Sequence, residues 1–104
     1  MQVVNIYCGL DTNGRDVDAT QILKDLAGKY FPQGHTLFTA TGRWMGQVGV
    51  IDEATILLQV MSPSATIPAD RLDHQVNLFC QDYKHLANQE SVLVTWQTVE
   101  AAFI

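Results

Sequence analysis

Charge is scarce in this sequence, and positive charge most of all. Charged residues fill 16% of its 104 positions, where a soluble domain ordinarily has about a quarter. Only six are Lys or Arg, and no two of these are adjacent. No basic stripe that could displace the counterions of a nucleic acid can be built from them. The net charge of −5 also opposes docking on an anionic membrane. Neither nucleic acid nor membrane is therefore expected as a partner. Cysteine is almost as rare. Cys8 and Cys80 form no Cys-x-x-Cys pair and stand among apolar neighbours, so both read as small reduced core residues. No apolar run approaches the roughly 20 residues that cross a bilayer. The opening Met1-Gln2-Val3-Val4-Asn5 has neither the basic nor the apolar segment of a secretory signal. The expectation is a soluble, cytoplasmic protein of one domain, residues 1–104, since a chain this short cannot build a second core.

The usual chemical motifs are missing as well. His35, His74 and His85 are dispersed. The last two are 11 residues apart on one predicted helix, about three turns, and cannot share an ion. There is no Gly-x-Ser-x-Gly and no serine or cysteine beside a histidine. Gly42, Gly46 and Gly49 fall between two predicted strands, whereas a phosphate cradle needs a helix N-terminus behind it. No metal and no cofactor is expected.

What is present is a clear order of elements. Val3–Cys8 is a β-branched and aromatic run that reads as a buried strand, ended by Gly9 and the turn-forming Asn13-Gly14. Asp18 suits a helix N-cap with Gln21 in capping-box position. Ala19, Ile22, Leu23, Leu26, Ala27 and Tyr30 then form one helical stripe, stopped by Pro32 and Gly34. His35–Thr41 alternates as a second strand. Gly42 to Glu53 reads as a glycine-rich connection, and Ala54–Met61 as a central strand with Ile56-Leu57-Leu58 covered on both faces. Ser62-Pro63-Ser64-Ala65 reads as a loop. Pro68 suits the first turn of a second helix whose apolar stripe runs from Leu72 to Ala87, with Asn88 as its cap. Val92–Trp96 is the last strand, and the apolar tail Val99–Ile104 is expected to extend it or to dock.

Strand, helix, strand, strand, helix, strand, joined by right-handed crossovers, gives an α+β, ferredoxin-like βαββαβ plan. Its sheet has four antiparallel strands, with the first and third central and both helices on one face. Apolar residues occur on both sides of the first, third and fourth strands, so the uncovered face also needs a cover. A second copy of the chain supplies one most simply, which predicts a homo-oligomer, a dimer in the first instance.

Candidate functional residues follow from type and place. Trp44, flanked by Arg43 and by glycines, suits a recognition or assembly element, with Asp52 or Glu53 in reach of Arg43. Tyr7 and Trp96 are aromatic residues of sheet strands, and His35 stands at a sheet end. Each also has a plain structural role available, as core, interface or exposed residue.

Several segments together resemble a small bacterial family of unknown function. They are Tyr7-Cys8-Gly9-Leu10, Phe31-Pro32-x-Gly34-x-Thr36, Gly42-Arg43-Trp44 and Gln89-Glu90-Ser91-Val92. The chain departs from that pattern at Cys8, where the family often has an aromatic. A fainter resemblance, a Trp-bearing hairpin leading into Leu57-Leu58, is to the ferredoxin-like trimers of the PII and CutA group, although their basic nucleotide-binding residues have no counterpart here. The resulting expectation is a homo-oligomeric binding or interaction module that could take a small-molecule ligand. The alternatives are a cofactor-independent enzyme of the dimeric α+β-barrel type, with Tyr7, His35 or Trp96 orienting an organic substrate between sheet and helices, and a PII/CutA-like trimer binding a small ligand or metal.

Overall fold

The computed structural model describes residues 1–62 and 68–104. Its elements are β1 (Gln2–Gly9), α1 (Ala19–Tyr30), β2 (Thr36–Gly46), β3 (Gly49–Ser62), α2 (Ala69–Leu86) and β4 (Leu93–Thr98). Beyond Ser62, the loop expected at Ser62–Ala65 lies outside the described residues. The sheet order is β2-β3-β1-β4 with every neighbouring pair antiparallel. This is the ferredoxin-like plan, with β1 and β3 central.

Alternation along the central strands builds the core. Val4, Ile6 and Cys8 of β1 and Ile56, Leu58 and Val60 of β3 turn to the same side. There they join Leu23 and Leu26 of α1 and Leu72, Val76, Phe79 and Tyr83 of α2 in one buried cluster. Phe79 sits at its centre, 5.7 Å from the Phe31 ring and stacked at 6.0 Å on Tyr83. The space between sheet and helices is thus filled by side chains.

The helix ends follow the capping signals. Asp18 accepts the Gln21 backbone N–H at 3.2 Å. The Gln21 side chain does not close the capping box but turns along the helix to Asp25, at 2.9 Å. Asn88 takes the left-handed conformation just past α2 (φ 55), and the Gln89 N–H reaches back to the Lys84 carbonyl at 2.9 Å.

The hairpin differs from the sequence expectation. The ladder between β2 and β3 does not stop at Thr41. It continues through Gly42↔Glu53, Arg43↔Asp52, Trp44↔Ile51 and Met45↔Val50 to Gly46↔Gly49, leaving only Gln47 and Val48 as the turn. The glycines explain why this looked like a loop. A Cβ on Gly42 would stand 2.9 Å from the Trp44 Nε1, and one on Gly46 would stand 2.6 Å from the Ile51 Cδ1. These two glycines make room for their neighbours' side chains on a strand. Gly49 alone, at φ +134, serves the reversal.

The tail extends the sheet by one step. The Val99 N–H bonds the Met1 carbonyl at 2.9 Å, and the Met1 ammonium returns a bond to the Val99 carbonyl at 3.1 Å. Ala101 to Ile104 are exposed.

The second sheet face carries Val3, Asn5 and Tyr7 of β1, Leu57, Gln59 and Met61 of β3, Leu93 of β4, and Phe38 and Trp44 of β2. Both helices lie on the other side. Phe38, Trp44, Ile51, Met61 and Leu93 remain 44–52% exposed on this face. At its middle, the Gln59 side-chain amide donates to the Asn5 side-chain Oδ1 at 3.0 Å, which ties the two polar side chains together.

Candidate functional site

The open face runs, at the end where β1 finishes, into a groove of about 590 Å³. Tyr7 and Trp44 supply aromatic surface, Ile51 and Leu93 apolar surface, and Asp11, Glu53 and Glu90 carboxylates. No Lys, Arg or His lines it among the described residues.

Its parts come from distant stretches of chain that the topology forces together. Glu53 stands opposite Gly42 on the ladder, on the same face as Trp44. Its carboxylate lies across Gly9, where an added Cβ would fall 2.2 Å from the Oε1, and it accepts the Asp11 backbone N–H at 3.2 Å. From the core side, the Tyr83 hydroxyl donates to the Gly9 carbonyl. Gly9 is therefore held from above and below, and any side chain there would displace the carboxylate. Burial raises the Tyr83 phenol far above its ordinary range, with smaller contributions from Cys8 and Glu53, so it stays a neutral donor.

The loop after β1 is clasped to the exit of α2. The Asn13 side chain donates to the Asn88 carbonyl at 2.8 Å, the Asn88 side chain donates to the Thr12 carbonyl at 3.0 Å, and the Gln89 side chain donates to the Asp11 carbonyl. Asn13 adopts φ 52, with its N–H on the Asp11 carboxylate at 2.9 Å. This reciprocal clasp places Asp11 and Glu90 at the groove's rim. The segments Tyr7-Cys8-Gly9-Leu10, Gly42-Arg43-Trp44 and Gln89-Glu90-Ser91 all converge here.

Of the residues singled out in the sequence, Tyr7 and Trp44 meet in this groove, and the others lie elsewhere. Arg43 points to the opposite side of the hairpin, where it grips Asp52 through two bonds of 2.7 and 3.2 Å. His35 lies at the far end of the sheet, in a smaller groove of about 330 Å³ with Phe31, Met61 and Phe103. Its Nδ1 is 3.1 Å from the Phe31 carbonyl, which only accepts, so that nitrogen carries the proton. Trp96 pairs with Val4 on the helix side of the sheet, at the outer edge strand, and is 51% exposed in neither groove. Tyr7, His35 and Trp96 therefore do not surround a common cavity between sheet and helices. Glu53, Asp11 and Glu90 escaped sequence reasoning as site residues. Glu53 stood out only as a possible partner of Arg43, and the hairpin register that sends it to the other face is not written in its neighbours.

The cysteines are both free. Burial drives the Cys8 thiol far up and holds the Cys80 thiol at about 11, so neither is a nucleophilic thiolate at neutral pH.

The family described as protein of unknown function (DUF3574) matches residues 5–103, and the chain belongs to it. No curated protein matches the sequence. Among solved structures the chain is similar to a phage SAM lyase in complex with S-methyl-5′-thioadenosine, with a TM-score of 0.73 at 16% identity, over 92% of this chain and 79% of that one. It is also similar to CutA from Synechococcus elongatus PCC7942, with a TM-score of 0.56 at 9% identity, over 94% of this chain and 75% of the other. The de novo designed protein Foldit4 gives a TM-score of 0.50 at 11% identity, over 95% and 96%. At these identities the likeness is one of fold.

Proposed function

We propose that this DUF3574 protein works by binding, as a cytoplasmic homo-oligomer whose copies cover one another's open sheet face and frame the groove at Tyr7 and Trp44 for a small molecule. The open face carries the reading. Phe38, Trp44, Ile51, Met61 and Leu93 present half-exposed apolar surface on one side of one sheet. A single copy leaves that surface in water, which soluble monomers seldom tolerate as a contiguous patch. The polar pair Asn5–Gln59 at the centre enters an interface with one of its bonds already made and its remaining amide groups free to bond across it. A two-fold dimer is the simplest closure, since it uses the same patch twice. The free Cys8 and Cys80 fit a reducing compartment.

Light scattering at tens of micromolar protein tests this. The reading requires a mass of two or three times the 11.6 kDa chain. Three times would favour a CutA-like trimer over the dimer, and a monomer overturns the assembly.

A second reading, catalysis at the same groove, has one observation in its favour. Tyr7, Trp44 and Glu53 line together a space large enough for a metabolite. The similar phage lyase acts on a sulfonium compound and holds S-methyl-5′-thioadenosine. Incubation with S-adenosylmethionine, followed by chromatography for S-methyl-5′-thioadenosine, decides between the two. Enzyme-dependent product would replace the binding reading.

A further inference from the structure

We infer that the groove selects a small organic cation with an apolar body, such as a sulfonium or quaternary ammonium compound. This rests on the groove being the binding site proposed above, and it follows from how aromatic and acidic groups share the space. Gly42 and Glu53 are directly opposite on the ladder, and the Trp44 indole folds back over Gly42, which has no side chain to keep it away. The indole and Glu53 thereby share one face of the sheet, with the indole over Gly42 of β2 and the carboxylate reaching across to Gly9 of β1. Tyr7 stands on the same face of the adjoining strand and lines the same groove. An aromatic wall beside a carboxylate suits a soft cation, which is attracted by the ring faces and by the negative charge together.

Among the described residues no basic side chain lines the groove to balance its charge. Arg43–Asp52 is the one ion pair among the described residues, and it lies across the hairpin from Trp44. Asp11, Glu53 and Glu90 line the groove, and among the described residues no basic residue lines it with them. An anionic ligand would be repelled, and a cation would be drawn to these carboxylates. A metal ion is a poor candidate, because among the described residues no three His, Cys, Asp or Glu side chains are grouped to hold one. Glu53 is also the best-positioned of the acids, held by the Asp11 N–H and seated in the gap left by Gly9.

Choline and its neutral isostere 3,3-dimethylbutan-1-ol provide the test, because they match in shape and differ in charge. The intact protein is titrated with each by calorimetry and by following the Trp44 indole N–H resonance, assigned with Trp44→Phe. Choline is expected to bind about tenfold more tightly than the alcohol. Glu53→Gln and Trp44→Leu, each confirmed folded by circular dichroism, are expected to shrink that preference to about twofold or less. Glu90→Gln, which alters only an exposed rim residue, gives an intermediate effect and guards against a folding artefact. Equal binding of the two probes, or no response to either at tens of millimolar, overturns the inference. Light scattering on the same sample separates this from the assembly. A monomer that still prefers choline overturns the oligomer alone, and an oligomer without preference overturns the cation site alone.

Discussion

Replacing Leu93 by Ser tests the open face where it is simplest to calculate. Leu93 pairs with Tyr7 on β4 and is 51% exposed. Burying a leucine side chain completely stabilises by about 2 kcal/mol, so covering the remaining half contributes about 1 kcal/mol per copy. A two-fold interface contains the residue twice, which makes the loss about 2 kcal/mol and the rise in the dimer dissociation constant about 30-fold. Folding of the single chain should suffer far less, because half the side chain is already wet. Sedimentation equilibrium over a concentration series measures the constant directly. Val17→Ser is the matched control. Val17 is an apolar residue of similar exposure, 39%, but it precedes α1 and belongs to no strand. The reasoning fails if Leu93→Ser and Phe38→Ser both leave the constant within about threefold of the parent, or if Val17→Ser weakens association as much as they do.

Phe79→Ala removes a wholly buried ring between Phe31 and Tyr83 and should cost about 3–5 kcal/mol in urea unfolding, enough to approach the limit of a domain this size. A loss under about 1 kcal/mol would mean that the core can collapse around the gap. Tyr83→Phe keeps the ring but leaves the Gly9 carbonyl without its donor, for an expected loss of about 1–2 kcal/mol. Alkaline pH should destabilise the fold through its thiols. Burial keeps Cys80 protonated up to about 11 in the folded chain, against 9.0 when exposed, so the folded state binds the extra proton in that window. Stability present below pH 9 is therefore lost as the pH rises towards about 11, and Cys8 and Tyr83, also raised by burial, act in the same direction. Urea midpoints at about pH 8 and about pH 10 should show the fall, and Cys80→Ala should lessen it; an unchanged slope in that variant refutes the assignment.

Those elements whose apolar residues face a packed layer were legible in the sequence. The stripe from Ala19 to Tyr30, the stripe from Leu72 to Ala87 and the run Ile56-Leu57-Leu58 announce themselves because burial selects one residue type at a fixed period. The hairpin between Gly42 and Glu53 has no such layer above or below it, so its pairing is written only in cross-strand partners such as Trp44 with Ile51 and Arg43 with Asp52. The same gap hid the groove. Tyr7 and Trp44 stood out by type, yet Glu53 reaches them only through the register, and Glu90 only because β4 pairs with β1 and brings the α2 exit to the end of Gly9. The separation of His35 from Tyr7 follows from the crossover. β2 runs in the same direction as β1, so a residue just before β2 lies where β1 begins, while Tyr7 lies near where β1 ends.

The hairpin arm binds assembly and ligand recognition into one problem. β3 has 14 residues and β1 has 8, so at about 3.3 Å per residue β3 overshoots its central neighbour by roughly 20 Å. The molecule is accordingly long, 45 × 24 × 23 Å. Along this overshoot the ribbon is exposed on both faces, with Met45 81% and Val50 57% exposed on one and Trp44 44% and Ile51 48% exposed on the other. A two-stranded ribbon is marginal in water by itself. Its order draws on contacts beyond its own ladder: the Leu10 N–H bonds the Ala54 carbonyl at 3.0 Å and the Asp11 N–H bonds the Glu53 carboxylate at 3.2 Å, and the proposed second copy or ligand would add to them. Copy and ligand would act on the same side chain. Trp44 lies midway along the arm and at the wall of the groove, so a contact that orders the arm would also fix the indole, and a ligand held there would stiffen the surface that a second copy would meet. In the proposed assembly, packing and recognition would both follow from a single placement of Trp44, made possible by the missing side chain of Gly42.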